Sequence, residues 1–387
     1  MSIYLDNAAT SWPKPESVIQ AMKQYNDQIG CNPGRSGHHL SVEAGRLLYN
    51  TREIISNLFG VSGPLRIAFT SNVTHALNIV ILGLLKPGDH VITTSLEHNS
   101  VMRPLRELEL RKVELSVIDC SKSGEFNPDL IHKHIKSNTK LIIATHASNV
   151  TGTILPIAEI GKIAYEYGIP FCVDSAQTAG ILDIDVDKSH IDILCFTGHK
   201  GLFGPMGTGG LYIKKDLEKS IRPLMFGGTG SRSEYEIQPD FMPDKYESGT
   251  LNMIGIAGLY AGVKFINETG INEIHQKENA LLKKFLDGIS EIKNVTIFAP
   301  EKIENQVAVA AFNIEELSPS DTSFYLDENY GILTRPGLHC APSAHKTIGT
   351  FPQGTNRISF GYFNTNEDVD AAVKAIHELS DQKSKGL

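Results

Sequence analysis

Two residues with the chemistry of a covalent cofactor site follow neighbouring apolar segments of the chain. Lys200 lies in a glycine-rich turn after the apolar segment 191–196, and Asp174 comes directly after the apolar segment 170–173. Taken singly, Lys200 could equally be a surface lysine, and Asp174 could be the N-cap of a helix. Together they are the pair that pyridoxal 5'-phosphate (PLP) chemistry requires: a lysine that carries the cofactor and an acid that keeps its ring protonated.

Residues 70–78 are the candidate site for the phosphate of such a cofactor. Val73 and Thr74 would lie in the first turn of a helix that follows a strand, where free backbone N–H groups and the helix dipole favour an anion. An ordinary capping box is the alternative interpretation. The sequence contains neither GxGxxG nor GxxxxGK[ST], so neither a dinucleotide site nor a P-loop has support.

His98 is a candidate for stacking on the cofactor ring and for moving protons. It follows the end of another apolar segment, 90–93, and an imidazole titrates near neutral pH. A purely structural histidine is the alternative. Arg357 precedes a short predicted strand, and its planar guanidinium suits the carboxylate of a substrate; an ordinary ion pair is the alternative there.

Cys340 differs from the other cysteines in its surroundings. The five cysteines are scattered and form no CxxC pair: Cys31, Cys120, Cys172, Cys195 and Cys340. Cys120, Cys172 and Cys195 lie in or beside apolar strands, where cysteine behaves as a small hydrophobic residue. Cys340 lies in a loop rich in proline and glycine, with Arg335 and His339 nearby. Positive charge near a thiol favours the nucleophilic thiolate, so Cys340 is the candidate nucleophile.

The elements that would position these residues alternate between strands and helices. The predicted strands cover 66–69, 90–93, 113–117, 141–144, 170–173 and 191–196, with amphipathic helical segments between several of them. This order predicts an α/β domain with a mostly parallel sheet, whose ligands bind at the carboxyl ends of the strands. After residue 250, long helices and short strands predict a smaller α+β domain. We expect a large PLP-binding domain at 14–250, and a small domain, formed by 1–13 and 251–387, that carries the Cys340 loop.

Composition narrows the possible partners and compartments. The 387 residues are 41% hydrophobic and 21% charged, and the formal net charge of −8 argues against a nucleic-acid partner. No apolar run approaches the length of a membrane span, and the N-terminus does not have the pattern of a secretory signal. The scattered cysteines predict neither a metal site nor a disulfide framework, and they favour a reducing cytoplasm.

With these residues placed, the chain resembles the cysteine desulfurase / selenocysteine lyase family of the class V aminotransferase superfamily over nearly its whole length. The matching motifs stand in the family's order: 4–10, the turn around Thr74, His98, Asn149, Asp174 with Gln177, 197–200, 247–252 and 335–341. The segment 335–341 is similar to the short-loop, Suf-type group. Pro336, the residues 342–345, Asn72 and His75 depart from the usual pattern and leave the subfamily open.

The resemblance implies a PLP-dependent transferase type I fold and a set of site residues. The implied cofactor-binding residues are Val73, Thr74, His98, Asn149, Asp174, Gln177, Thr197, His199, Lys200 and, from the neighbouring subunit of a homodimer, Thr250. In this set Gln177 bonds the ring hydroxyl, and Thr74, Thr197, His199 and Thr250 bind the phosphate. The implied substrate-binding residues are Asn149, Arg335 and Arg357. Lys200, His98 and Cys340 are the implied catalytic residues.

The activity that the resemblance implies is a cysteine desulfurase. L-cysteine would be converted to L-alanine, with a persulfide left on Cys340 for a sulfur-acceptor protein. A selenocysteine lyase or another class V aminotransferase or lyase is the nearest alternative, and a non-catalytic scaffold that binds PLP or an acceptor is a remote one. The sequence leaves open the acceptor, the preference for sulfur or selenium, and the pathway, whether iron–sulfur cluster assembly, tRNA thiolation or another.

Overall fold

The structure, a computed structural model, describes residues 2–34 and 37–384. Its strands are β1 Ile3–Tyr4, β2 Ile67–Thr70, β3 His90–Thr94, β4 Glu114–Ile118, β5 Thr139–Thr145, β6 Phe171–Asp174, β7 Ile193–Thr197, β8 Gly209–Ile213, β9 Val295–Phe298, β10 Val309–Ile314, β11 Ile332–Leu333, β12 Arg335–Gly337 and β13 Thr355–Ser359. Its α-helices are α1 Glu16–Gln24, α2 His39–Leu58, α3 Val73–Leu84, α4 Asn99–Glu109, α5 Ile157–Glu166, α6 Met253–Thr269, α7 Ile271–Ser290, α8 Pro319–Tyr330, α9 Pro342–Thr347 and α10 Asn366–Ser384. None of the described helices combines the length and the apolar character that crossing a membrane requires.

A seven-stranded sheet in the order β2-β8-β7-β6-β5-β3-β4 forms the centre of the larger part. Its strand pairs are parallel except those that β8 makes with β2 and β7. The six predicted strands are present, with ends shifted by one or two residues, and the predicted α/β fold class is confirmed. The buried faces of the sheet are rich in Val, Ile and Leu, as expected for strands covered on both sides.

Strand β8 was not predicted, because it begins with two glycines, which are rare in strands. The packing around it explains them. A Cβ on Gly210 would lie 2.5 Å from the ring of Phe196 on β7, and one on Gly209 would lie 2.8 Å from the backbone of Asn72. The glycines therefore allow β8 to pack beside the start of α3, which is one wall of the site described below.

The second part of the chain is built on an antiparallel sheet in the order β12-β13-β10-β9. Its core combines apolar residues of α7, α8 and α10 with Leu5 from the N-terminal segment, and β1 pairs with β11. The predicted helices and the strands near 307–312 and 357–360 are present; β9, α8 and α9 were not predicted, since α8 is mostly polar and has no clear apolar periodicity.

The domain limits at residues 13 and 250 stay a prediction. Helix α6 packs on α1 and α2, and its buried residues belong to the core of the larger part. This packing favours a boundary after α6 instead of before it.

Candidate active site

A cleft of about 290 Å³ opens at the carboxyl edge of the central sheet. It brings together residues from eight separate stretches of the sequence. Among the predicted site residues, its lining contains Val73, Thr74, His98, Asn149, Asp174, Gln177, Thr197, His199, Lys200, Arg335 and Arg357. Parallel strands end on the same side of a sheet, so the residues after β3, β5, β6 and β7 meet there.

Lys200 and Asp174 lie in this cleft as the strand ends predict. Burial and, to a smaller extent, the charge of Arg357 lower the pKa of Lys200 to about 8, and the charge of Asp174 opposes the change. Burial raises the pKa of Asp174, whose Oδ1 accepts a hydrogen bond from the backbone N–H of Ala176 at 3.0 Å. The residues after Asp174 form turns, not a helix, so the interpretation of Asp174 as a helix N-cap is wrong.

The start of α3 forms the anion-binding end of the cleft. Asn72 caps the helix by accepting from the backbone N–H of His75 at 2.9 Å, and the first amides, including those of Val73 and Thr74, have no carbonyl one turn before them. On the facing turn, burial lowers the pKa of His199 to about 4. Its Nδ1 atom is buried and has no hydrogen-bond partner in the described part of the chain. A phosphate oxygen would satisfy such groups.

His98 caps the next helix, α4. Its Nδ1 accepts from the backbone N–H of Ser100 at 3.0 Å, so the proton of the neutral imidazole lies on Nε2. Burial lowers the pKa of His98 to about 4, and the positive charge of Lys200 contributes. His98 therefore caps a helix with one nitrogen, as the structural interpretation expects, and it lines the cleft. Its role in stacking on the cofactor and moving protons stays a prediction.

Two arginines face each other across neighbouring strands of the second sheet. Arg335 on β12 and Arg357 on β13 are directly opposite in register. Buried Arg357 pairs with Asp6, with Nη2 and Oδ1 2.6 Å apart, and its Nη1 donates to the Asn149 carbonyl at 3.0 Å. Its Nε is buried without a partner among the described residues. Two adjacent cations and a free donor favour binding of a carboxylate.

Cys340 is exposed and directly follows His339, which lines the cleft. Its carbonyl accepts from the backbone N–H of Asn99, the first residue of α4, at 2.7 Å. The expectation that His339 adds positive charge beside the thiol is wrong: burial lowers its pKa to about 2, so the imidazole is neutral. Of the two cations predicted near Cys340, only Arg335 is therefore charged.

Comparison with known proteins identifies the family. The model of the family described as aminotransferase class-V matches residues 3–372. The chain belongs to the aminotransferase class-V family. Family members, including cysteine desulfurases, use PLP. Within the described residues, no group of three or more His, Cys, Asp and Glu side chains could hold a metal ion.

Several proteins similar to this class V chain are named as cysteine desulfurases. A probable cysteine desulfurase of Methanothermobacter thermautotrophicus is 35% identical over 384 residues, 98% of this chain and 94% of that protein. A probable cysteine desulfurase of Pyrococcus abyssi is 36% identical over 388 residues, 97% of this chain and 94% of that protein. The apo structure of cysteine desulfurase from Thermococcus onnurineus NA1 superposes with a TM-score of 0.92 at 34% identity, covering 100% of this chain and 95% of that one.

Thr250 lies outside the Lys200 cleft of its own subunit. It lines a separate hollow with Ser71 and His75. Helix α6 is capped by Asn252, whose Oδ1 accepts from the backbone N–H of Gly255 at 3.0 Å. The alternative that Thr250 caps its own helix is therefore wrong, and its predicted role in a neighbouring subunit stays a prediction.

Three residues around the site, two of them fully buried, were missed in the sequence. Asp6 pairs with Arg357 across 351 positions, which no local pattern reveals. Glu97 directly precedes His98; burial raises its pKa to about 8, and its Oε1 accepts from Thr94 and Thr145. His345 contacts His339 and is discussed below. Glu97 could have been noticed as a carboxylate after an apolar strand, the same signal that identified Asp174.

Proposed function

We propose that this class V enzyme is a PLP-dependent cysteine desulfurase that converts L-cysteine to L-alanine and leaves a persulfide on Cys340. The observation that carries the proposal is the cleft itself. It combines the Lys200–Asp174 pair with two arginines for a carboxylate, and the exposed Cys340 directly follows His339 of its lining. An aminotransferase has no use for that cysteine.

The residues of the cleft fit PLP. Lys200 would carry it covalently, Asp174 would pair with the ring nitrogen, and Gln177 would reach the ring hydroxyl. The α3 amides, Thr197 and the unpartnered Nδ1 of His199 would hold the phosphate. When bound, PLP supplies an electron sink that stabilises negative charge at the substrate Cα.

The protein's own groups then orient the substrate and move its protons. Arg357, Arg335 and Asn149 hold the carboxylate. Lys200 takes the Cα proton as a neutral amine, which its lowered pKa makes accessible near neutral pH. His98 holds a proton on Nε2, on the nitrogen not used to cap α4, and can donate it.

Cys340 performs the sulfur transfer. Its thiolate attacks the substrate sulfur, so an S–S bond forms on the protein while the substrate C–S bond breaks. The electron pair of that bond stays with the substrate carbon, which is protonated to give alanine. The balance is one cysteine and one protein thiol on one side, and one alanine and one protein persulfide on the other, so no external oxidant is needed.

The direct test is to incubate the PLP-loaded protein with L-cysteine and a reductant and to measure alanine and sulfide. We expect equal amounts of both. Pyruvate and ammonia would instead indicate a β-eliminating lyase, a keto acid would indicate an aminotransferase, and no turnover would indicate a scaffold. A parallel assay with L-selenocysteine identifies a lyase if selenium is released and cysteine is not consumed.

We also propose a homodimer, with Thr250 completing the phosphate site of the partner, and delivery of the persulfide to an acceptor protein. The position of Thr250 outside its own cleft supports the first, and the exposure of Cys340 supports the second. The compact 335–341 loop supports the Suf-type group. The unpaired cysteines support a reducing compartment such as the cytoplasm.

A further inference from the structure

Two buried histidines form a hydrogen-bonded chain beneath the Cys340 loop. Thr350 Oγ1 lies 2.7 Å from His345 Nδ1, His345 Nε2 lies 3.2 Å from His339 Nδ1, and His339 Nε2 lies 3.0 Å from the Arg335 carbonyl oxygen. His345 is fully buried on α9, and its ring stacks on that of His339. None of these contacts belongs to the chemistry described above.

The carbonyl at the end of the chain determines the direction of every bond in it. A carbonyl only accepts, so His339 Nε2 donates to Arg335, and the neutral imidazole accepts at Nδ1. His345 must then donate from Nε2 and accept at Nδ1 from the Thr350 hydroxyl. Burial lowers the pKa of His339 to about 2 and that of His345 to about 4, which keeps both rings neutral, as this arrangement needs.

The loop above this chain has a backbone that needs support. His339 and Cys340 both adopt left-handed conformations, with φ of 49° and 55°. Such conformations are unfavourable for residues with a side chain and persist where surrounding contacts hold them. The contacts here are the Asn149 side chain on the His339 carbonyl, the Asn99 amide on the Cys340 carbonyl, and the imidazole chain.

We propose that His345 is a positioning residue for the nucleophile: by donating to His339 Nδ1, it holds the His339–Cys340 backbone in the conformation that presents the thiol to the substrate. This inference rests on the proposed desulfurase function. His345 is not among the residues that line the cleft, and its ring bonds within the loop to His339 and to the Leu338 carbonyl, so it acts on the thiol through the loop. The Arg335 carbonyl, through His339, sets which nitrogen of His345 carries the proton, and the Thr350 hydroxyl donates to the other nitrogen.

Two near-isosteric variants separate the two bonds of His345. The amide N–H of His345→Gln can reach the place of Nε2 and still donate to His339. The amide of His345→Asn reaches only the place of Nδ1, so the donation to His339 is lost. A general packing role would make Asn and Gln similar, whereas positioning through His339 predicts that Gln retains function and Asn does not.

Both variants would be compared with wild type as full-length, PLP-loaded protein. We expect the first-turnover rate of persulfide formation on Cys340, measured by mass spectrometry, to fall about tenfold in His345→Asn, in proportion to one lost buried hydrogen bond. Substrate affinity, followed by the absorbance change on adding L-cysteine, should stay within about twofold of wild type, since the arginines are intact. His345→Gln should recover most of the rate.

Amide hydrogen exchange gives a readout independent of activity. The N–H groups of Asn99 and Ala341, which bond to Cys340 and Leu338, should exchange faster in His345→Asn and normally in His345→Gln. The matched control is His90→Asn, because His90 is equally buried and hydrogen-bonded through both nitrogens, to Thr139 and Ser116, away from the cleft. It should change neither readout.

The outcomes separate this inference from the function on which it rests. Wild-type protein that forms no alanine from L-cysteine would overturn the proposed function. An active wild type with equal rates and equal exchange in His345→Asn and His345→Gln would overturn the positioning role alone. Faster exchange in His345→Asn without slower persulfide formation would overturn it as well.

Discussion

Two regions hold reactive groups in opposite ways. One is the floor of the cleft, formed by Lys200 and Asp174 at the ends of sheet strands, and the other is the Cys340 loop. Asp174 is the last residue of β6 and Lys200 lies three residues beyond β7, so the hydrogen bonds of the central sheet determine their positions. Cys340 lies between β12 and α9 on a left-handed backbone, held by side chains and amides from distant segments. A sheet edge suits groups that must stay fixed beside a cofactor, whereas a short supported loop suits a nucleophile that must later release its product.

Removal of the Lys200 side chain from the floor should lower the rate of alanine formation more than any other change. Lys200→Ala should lower the rate of alanine formation by about 10³-fold or more, because it removes the covalent anchor and the proton carrier together. Borohydride should trap PLP on the peptide containing Lys200 in wild type and on no peptide in the variant. Lys245→Ala, a change at a buried lysine that donates to the Glu218 carbonyl, is the control and should stay active. PLP trapped on another lysine of the wild type would show that the floor is misassigned.

The loop should fail more selectively than the floor. Cys340→Ala should bind PLP and L-cysteine normally, as seen by absorbance. Its rate of alanine formation should fall by about 10²-fold or more, since only the sulfur-accepting group is lost. Single substitutions of Cys31, Cys120, Cys172 and Cys195 should leave activity largely intact. Burial raises the pKa of Cys120 to about 12, and Cys172 and Cys195 are buried. Normal alanine production by Cys340→Ala would favour elimination or transamination.

Arg357 connects the two regions, because it contacts Asn149 after β5 and lies opposite Arg335 on β12. Arg357→Lys keeps the charge and loses the planar fork. The transition-state stabilisation obtained from the ratio of kcat/KM values should therefore fall by about 1.5–3 kcal/mol, the range for a hydrogen bond to a charged group. Asp6→Asn, which removes only the ion pair, should cost less. If Arg357→Lys matches wild type in steady-state kinetics, Arg357 does not bind the substrate.

The lowered pKa of Lys200 predicts how cofactor capture by the floor depends on pH. An amine reacts with an aldehyde only when neutral, and burial moves this transition down from 10.5 to about 8. The rate of PLP capture by the apoprotein should therefore rise about tenfold between pH 7 and pH 9 and then level off. Stopped-flow absorbance measures it. A rate that keeps rising to pH 10.5 would show an ordinary, solvated lysine.

The phosphate site beside the floor should also include Thr250 of the neighbouring subunit. If Thr250 serves the partner's phosphate, mixing inactive Lys200→Ala with inactive Thr250→Ala should restore about a quarter of wild-type activity. Random exchange places about half of the subunits in mixed dimers, each with one intact site. Exchange would be verified by native mass spectrometry. An absence of recovery despite proven exchange would place Thr250 in its own subunit's chemistry.

The same contrast explains what the sequence could predict. Lys200, Asp174 and His98 were found because strand ends have a local signature of apolar residues followed by polar ones. The partners of Cys340 have none: His345, Asn99 and Asn149 come from three elements, and the ion pair of Arg357 spans nearly the whole chain. The charge assigned to His339 was wrong for the same reason, since its burial depends on α9, which was not predicted. Strand β8 was hidden by glycines that its neighbours require.

The hydrogen bond between the Asn99 amide and the Cys340 carbonyl affects how easily Cys340 can move outward when it carries a persulfide. It is the backbone hydrogen bond that ties the end of the loop to α4, the helix capped by His98. Relaxing two left-handed residues returns roughly 2–4 kcal/mol. Releasing the loop breaks this bond and the Asn149–His339 bond, each worth about 1 kcal/mol. An outward excursion of a loaded Cys340 is therefore nearly balanced in free energy, and it leaves the sheet and everything bound to it in place.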